Sequence, residues 1–176
     1  GEALHTLIND YPDMTVVLDP VFKTSLGQNL CQGPVLEVVQ ALLLNRVNVL
    51  TPNAAEARLL APSADTLGAC GQAIMDRGCE YVLITGADEP TEEVVNTLYS
   101  NRRALESFHW PRIPGQFHGT GCTLAAAIAA LIAQGCDVFN AVQKAQEYTW
   151  KSIKHAYPIG SGVWIPQRLH WALKSD

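Results

Sequence analysis

The chain has 176 residues, with 12 Lys and Arg against 17 Asp and Glu, a formal charge of −5. An apolar share of 48% and a charged share of only 16% exclude intrinsic disorder. The acidic balance and the lack of a Lys/Arg run argue against a nucleic-acid groove or an anionic membrane surface as partner. The longest apolar run, 124–133, is about half of what a membrane-spanning helix requires. A soluble intracellular protein is therefore expected.

Residues 2–10 place Ala3, Leu4, Leu7 and Ile8 on one stripe and predict an amphipathic helix. A short β-branched strand follows at 14–18, stopped by Asp19-Pro20. A helix is predicted over 34–44, with Pro34 in its first turn and Leu36, Val39 and Leu43 on one face. The next strand, 46–50, is closed by Pro52, and Asn53 can cap a short helix over 53–60. A helix over 66–77 ends at Gly78, and a buried strand over 81–84 runs into Thr85-Gly86. Strand alternating with helix predicts an open α/β sheet with parallel strands.

Beyond residue 90 the pattern changes. Two extended runs, 94–100 and 104–110, flank Asn101-Arg102-Arg103 and predict an antiparallel hairpin. Two long helices follow, 121–134 and 138–157. The first is Ala-rich and apolar nearly all round, which predicts packing on most sides. The second carries Val138, Val142, Ala145, Ile153 and Ala156 at helical spacing. No repeat or linker divides the chain, so a single domain over 1–176 is expected. Because the first helix feeds directly into a buried strand, the pattern starts inside a βαβ unit and predicts further chain before Gly1.

Five cysteines (Cys31, Cys70, Cys79, Cys122 and Cys136) form no CxxC pair or zinc spacing, which fits a reducing compartment. All but Cys122 are expected to be small buried hydrophobes. His109, His155 and His170 lack metal-like spacing, and Trp110, Trp150, Trp164 and Trp171 are expected to pack in core or rim.

The segment His118-Gly119-Thr120-Gly121-Cys122-Thr123 stands immediately before the apolar helix. Its glycines permit a tight turn and leave amide N–H groups unobstructed at the positive end of the helix dipole. Such a turn can hold a phosphate or the charge developing on a transferred phosphoryl group, and it can equally be a plain helix cap. Neither a P-loop nor GxGxxG is present. Cys122 falls in the first turn, where the dipole favours thiolate, so it can take a proton from an attacking hydroxyl or act as a nucleophile. Asp19 and Glu56 follow predicted parallel strands, at the sheet edge where α/β proteins bind ligands, and can hold Mg²⁺ directly or through water. Asn53 and Glu56 are one helical turn apart on one face. Thr85 and Gly86 suit a phosphate contact or an ordinary turn.

Three stretches taken in order carry a resemblance. Val16-Val17-Leu18-Asp19-Pro20-Val21, Leu50-Thr51-Pro52-Asn53-Ala54-Ala55-Glu56-Ala57 and His118-Gly119-Thr120-Gly121-Cys122-Thr123-Leu124 together closely resemble hydroxymethylpyrimidine/phosphomethylpyrimidine kinases of the ribokinase-like superfamily. The resemblance runs from about Val16 to Trp171. It implies a ribokinase-like fold, an open, mostly parallel sheet flanked by helices in a three-layer α/β/α arrangement. It also implies a cytoplasmic phosphotransferase of thiamine biosynthesis. The enzyme would use ATP and Mg²⁺ to phosphorylate 4-amino-5-hydroxymethyl-2-methylpyrimidine and then its monophosphate.

By the same resemblance Gly119, Thr120, Gly121 and Cys122 form the anion hole, with Cys122 replacing the aspartate base of most of the superfamily. Asp19 and Glu56 act on Mg²⁺ and the phosphates, and Asn53, Thr85 and Gly86 lie on the nucleotide. The resemblance further implies a homodimer and a small pyrimidine as partners. Two departures stand out: Thr85-Gly86-Ala87 replaces a Lys-Gly-Gly common after the third strand, and the family's N-terminal segment, with much of the pyrimidine pocket, has no counterpart. A pyridoxal kinase and a non-catalytic nucleotide-binding remnant are the alternatives.

Overall fold

A computed structural model describes residues 2–22, 33–160 and 162–172. These fall into two compact units, 1–110 and 111–176, each treated by itself below.

The first unit is built on a five-stranded sheet ordered β1-β2-β3-β4-β5. The strands are β1 (Val17–Leu18), β2 (Val49–Leu50), β3 (Tyr81–Ile84), β4 (Glu93–Ser100) and β5 (Arg103–Pro111). The first three are parallel, with Val17 opposite Val49 and Val49 opposite Tyr81, and β4 runs antiparallel to β3. Helix α1 (Glu2–Asp10) precedes β1; α2 (Gly33–Val38) lies between β1 and β2, and α3 (Ala54–Leu60) and α4 (Leu67–Met75) lie between β2 and β3. This mostly parallel open sheet with flanking helices is of the ribokinase-like three-layer α/β/α class. Val49, Leu50, Val82 and Leu83 are fully buried, as the continuous apolar runs of strands covered on both faces require. Ile8, Leu43, Leu44, Leu60 and Ile74 from the helices join that core.

Local chemistry explains most boundaries. Thr66 caps α4 by accepting a hydrogen bond from the Ala69 amide at 3.1 Å. Gly78 ends the segment at φ +104°, a conformation open to glycine and costly for other residues. The hairpin between β4 and β5 turns on Asn101 and Arg102, both left-handed (φ 50° and 61°), as a tight two-residue connection requires. Arg103 belongs to β5 rather than to the turn.

Several boundaries differ from expectation. The strand expected from residue 14 starts at Val17. The strand expected from residue 46 starts at Val49, because residues 44–46 form a 3₁₀ turn continuous with a π-helical stretch, Val39–Leu43. Arg46 is drawn into that turn by donating from Nη2 to the Ile8 carbonyl at 3.2 Å. The Gln40 amide and Arg77 guanidinium both donate to the Leu60 carbonyl, at 3.1 and 2.7 Å, and so satisfy an orphan group at the end of α3.

The second unit pairs α5 (Thr120–Ala133) with α6 (Val138–Lys154) and adds a hairpin of β6 (Tyr157–Ile159) and β7 (Val163–Ile165). Asp137 caps α6 through the Asn140 amide at 3.0 Å. Val142 and Ala145 of the expected stripe are fully buried. Helix α6 does not reach residue 157 as expected. Its last turn closes at His155, and Tyr157 pairs with Ile165 as a strand, where Pro158 would have obstructed a helix. Helix α5 is also less enclosed than its composition predicts. Thr123, Leu124 and Ile128 are buried within it, whereas Ala126, Ala129, Ala130 and Ala133 are exposed. Alanine methyl groups present too little apolar area to demand cover on every side.

Candidate functional site

The predicted residues assemble in two groups, one in each unit. In the first, β1, β2 and β3 run parallel, and their carboxyl ends deliver Asp19, Asn53 and Thr85 to one edge of the sheet. Strand β3 continues past its last ladder residue. The Thr85 amide donates to the Pro52 carbonyl at 2.9 Å, and the Thr85 carbonyl accepts from the Ala54 amide at 3.0 Å. Thr85 is thus fastened to the first turn of α3.

That turn holds a complete capping box. Asn53 Oδ1 accepts from the Glu56 amide at 2.8 Å, and Glu56 Oε2 accepts from the Asn53 amide at 2.9 Å. Glu56 Oε1 also accepts from the Phe22 amide at 3.4 Å. Glu56 is only 7% exposed. Burial raises its pKa above the ordinary carboxylate value, the Asn53 and Phe22 amides oppose that rise, and the charges of Asp19 and Asp88 add to it. Asp19 and Glu56 are therefore electrostatic neighbours.

Asp88 was not legible as a site residue. Its carboxylate accepts from the Ala54 amide at 3.3 Å and the Ala55 amide at 3.0 Å, the first two orphan donors of α3. With Asn53 on the third, the amino end of this short helix is satisfied by the protein itself. Arg58 on α3 and Glu89 beside Asp88 add a bidentate pair at 2.8 and 3.1 Å. A sequence signal for Asp88 exists only in retrospect, as an acid two residues beyond the glycine of a strand-ending turn.

Gly86 is held against β4. Its amide donates to Oδ1 of the buried Asn96 at 3.1 Å, and a Cβ built at Gly86 would run into the Val95 carbonyl oxygen. Gly86 also lines a cavity of about 190 Å³ with Ile84, Val95, Thr97 and Tyr99. That volume is below the roughly 300 Å³ at which small-molecule pockets begin, so the cavity alone does not hold a nucleotide.

In the second unit, Gly119 is the left-handed N-cap of α5 (φ +85°, ψ 13°), so Thr120, Gly121 and Cys122 form the helix's first turn. The loop is anchored on β7: the His118 amide donates to the Trp164 carbonyl and the Trp164 amide to the Gln116 carbonyl, both at 2.9 Å. Thr123 closes the turn, its amide and its Oγ1 both donating to the Gly119 carbonyl, at 3.0 and 2.7 Å. Arg168, far off in sequence, donates from Nε to Thr123 Oγ1 at 3.0 Å. Its Nη2 lies 3.1 Å from where a Cβ at Gly119 would be. No motif marks Arg168, because only tertiary structure brings it to the loop.

Cys122 is exposed, whereas Cys70 and Cys79 are buried and Cys136 is half-buried. Cys31 lies outside the described residues. Burial pushes the Cys79 thiol up to about 12, and its Sγ–H donates to the Tyr81 carbonyl at 3.2 Å. Iodoacetamide at about pH 8, near the ordinary thiol pKa, is therefore expected to modify Cys122 and spare Cys70 and Cys79 until the protein is unfolded. Peptide mass spectrometry reads the order, and native-state labelling of Cys79 would contradict the burial. His109 and Glu93 form an exposed pair at 3.0 Å, and His155 stacks on His170 (ring centroids 5.7 Å apart), in keeping with surface and packing roles.

An open, mostly parallel sheet presenting polar residues at its carboxyl edge, with a glycine turn opening an apolar helix, defines the ribokinase-like class. The chain belongs to the phosphomethylpyrimidine kinase family, whose model matches residues 2–167. Its sequence is 30% identical to the hydroxymethylpyrimidine/phosphomethylpyrimidine kinase of Aquifex aeolicus, over 94% of this chain and 66% of that protein. It is 29% identical to the chloroplastic thiamine biosynthetic bifunctional enzyme TH1 of Arabidopsis thaliana, over 99% of this chain and 35% of that protein. Among solved structures, an ADP complex of Bacillus subtilis pyridoxal kinase superposes with a TM-score of 0.85 at 27% identity, covering 98% of this chain and 67% of that one. The chain thus spans between about one third and two thirds of the length of these relatives.

Proposed function

We propose that the protein transfers the terminal phosphoryl group of ATP to 4-amino-5-hydroxymethyl-2-methylpyrimidine, and then to the monophosphate so formed. The observation that carries this reading is the exposed Cys122 thiol in the first turn of α5, directly behind the left-handed Gly119, in a chain of the phosphomethylpyrimidine kinase family.

In this reading the amides of Thr120, Gly121 and Cys122 face the phosphoryl group in flight. They add fixed donors to the positive end of a 14-residue helix where charge develops. The Cys122 sulfur accepts the proton of the substrate hydroxyl while that oxygen bonds to phosphorus and the bond from phosphorus to the β-phosphate oxygen breaks. Asn53, Thr85 and Gly86 line the side of the nucleotide phosphates.

The carboxyl edge of the sheet fits a hydrated Mg²⁺ rather than a protein cage. Both Glu56 oxygens already accept backbone amides, and among the described residues no three His, Cys, Asp or Glu groups are spaced to enclose a metal. The mutual repulsion of Asp19, Glu56 and Asp88 is what a cation carried in with phosphates would relieve. The ion, when bound, would supply positive charge that offsets the phosphates. Asp19 and Glu56 would hold its waters.

Among the described residues no helix is long and apolar enough to cross a membrane, and Cys70, Cys79, Cys122 and Cys136 form no disulfide. The unbridged cysteines fit a reducing compartment. A coupled ADP-release assay with MgATP tests the reading. Turnover of the hydroxymethylpyrimidine and of its monophosphate is expected. Turnover of pyridoxal alone would favour the second reading, which the Bacillus subtilis neighbour supports. Nucleotide binding without turnover of any substrate would favour a non-catalytic remnant.

A further inference from the structure

We propose that Arg168 is a phosphate-binding residue of the Gly119–Cys122 loop, supplying a cationic contact to the terminal phosphates. The inference rests on the phosphoryl-transfer reading and deepens it.

Arg168 is held from both ends. Its carbonyl accepts from Tyr148 Oη at 3.0 Å, and the preceding Gln167 amide donates to the Ser152 carbonyl at 2.8 Å, which ties this stretch of backbone to α6. From that fixed start the side chain crosses to α5 and spends Nε on Thr123 Oγ1 at 3.0 Å. Thr123 is buried and itself donates to the Gly119 carbonyl, so the guanidinium is registered on the loop and not merely near it. The Nη2 end then rests over Gly119, 3.1 Å from where a Cβ would be.

Charge points the same way. Among the described residues no carboxylate pairs with Arg168, whereas Arg58 and Arg102 each have one at 2.8 and 3.0 Å. A guanidinium offers five N–H donors in a planar fork, so with Nε engaged the two Nη groups still match a pair of phosphate oxygens. A protein of net charge −5 that takes a polyphosphate must gather its cationic contacts locally.

The test is calorimetric titration of the native chain, Arg168→Ala and Arg168→Lys with the magnesium complex of β,γ-methylene ATP, and separately with adenosine. Arg168→Ala is expected to weaken the triphosphate analogue by about 10- to 100-fold, as loss of a charge-assisted contact implies, and to leave adenosine unchanged. Arg168→Lys should recover part of the loss, because it restores charge but not the fork. A purely structural tether would weaken both ligands alike, and an unchanged analogue affinity would mean no contact; either overturns the role of Arg168 while leaving the kinase reading intact. If the native chain bound adenosine but gained nothing from the phosphates, the phosphoryl-transfer reading would fall and the Arg168 proposal with it. Should Arg168→Ala not fold, Arg168→Gln, which keeps a donor towards Thr123, carries the same comparison.

Discussion

Cys122→Ala lowers kcat by roughly 10²–10⁴-fold, the range for removing a positioned general base, and leaves nucleotide affinity nearly unchanged. The loss corresponds to about 3–5.5 kcal/mol of transition-state stabilisation. The same substitution should barely alter the melting temperature, because the thiol is exposed and truncating it opens no cavity in the core. That pairing of results separates a chemical role from a packing one. Cys122→Asp offers a further check: a carboxylate at this position restores a base that needs no thiol, so partial recovery over Cys122→Ala is expected. Steady-state kinetics with hydroxymethylpyrimidine and MgATP measures both variants. An unchanged kcat in Cys122→Ala would remove Cys122 from the chemistry.

Gly86→Ala is expected to cause the largest loss of stability among single substitutions at the carboxyl edge of the sheet. The added Cβ meets the Val95 carbonyl oxygen, a backbone atom of β4 that cannot swing aside as a side-chain tip would. Moving it would disturb the ladder in which Ile84 lies opposite Thr97, and the bond from the Gly86 amide to Asn96. Overpacking of this kind costs about 1–3 kcal/mol or more. For a chain of this length the cost reads as a fall in Tm of roughly 2–12 °C. Gly86→Ala should also loosen its neighbour Thr85 and, through the Ala54 amide that donates to the Thr85 carbonyl, the first turn of α3. Differential scanning calorimetry checks the first effect, and hydrogen exchange at Ala54 and Ala55 checks the second. A melting temperature equal to that of the native chain would show that β4 can yield there.

The difference between these two sites and the rest of the molecule lies in how locally each is encoded. Asn53 was legible as a helix cap because that signal is local, whereas the reciprocal bond from the Asn53 amide to Glu56 that completes a capping box appears only in the structure. Gly78, the β3 strand and the hairpin turn, read as Asn101-Arg102-Arg103 and formed by the first two, were legible for the same reason. The alternation of strand and helix likewise led to parallel β1, β2 and β3 without knowledge of any contact.

What escaped was set by contacts between distant segments. Residue 46 has the composition of a strand start, but its guanidinium is claimed by a carbonyl of α1, and the chain turns there instead. The apolar stripe of α6 continues into residues 156 and 157, so periodicity overran an end that β-pairing with Ile165 decides. Asp88 and Arg168 each complete a helix terminus from a different segment. One neutralises the amino end of α3, and the other brings positive charge to the amino end of α5. The two helix starts thereby acquire opposite electrostatic character, which neither the Asn53–Glu56 spacing nor the glycine turn reveals in sequence.

The most direct test of the account is a competition. Equal concentrations of hydroxymethylpyrimidine and pyridoxal are incubated with the protein and limiting MgATP, and the products are identified by mass spectrometry. Phosphate on the pyrimidine hydroxymethyl oxygen, with an equivalent of ADP and no such product from Cys122→Ala, is the predicted result. Phosphate on pyridoxal alone, or equal yields with and without the Cys122 thiol, would contradict it.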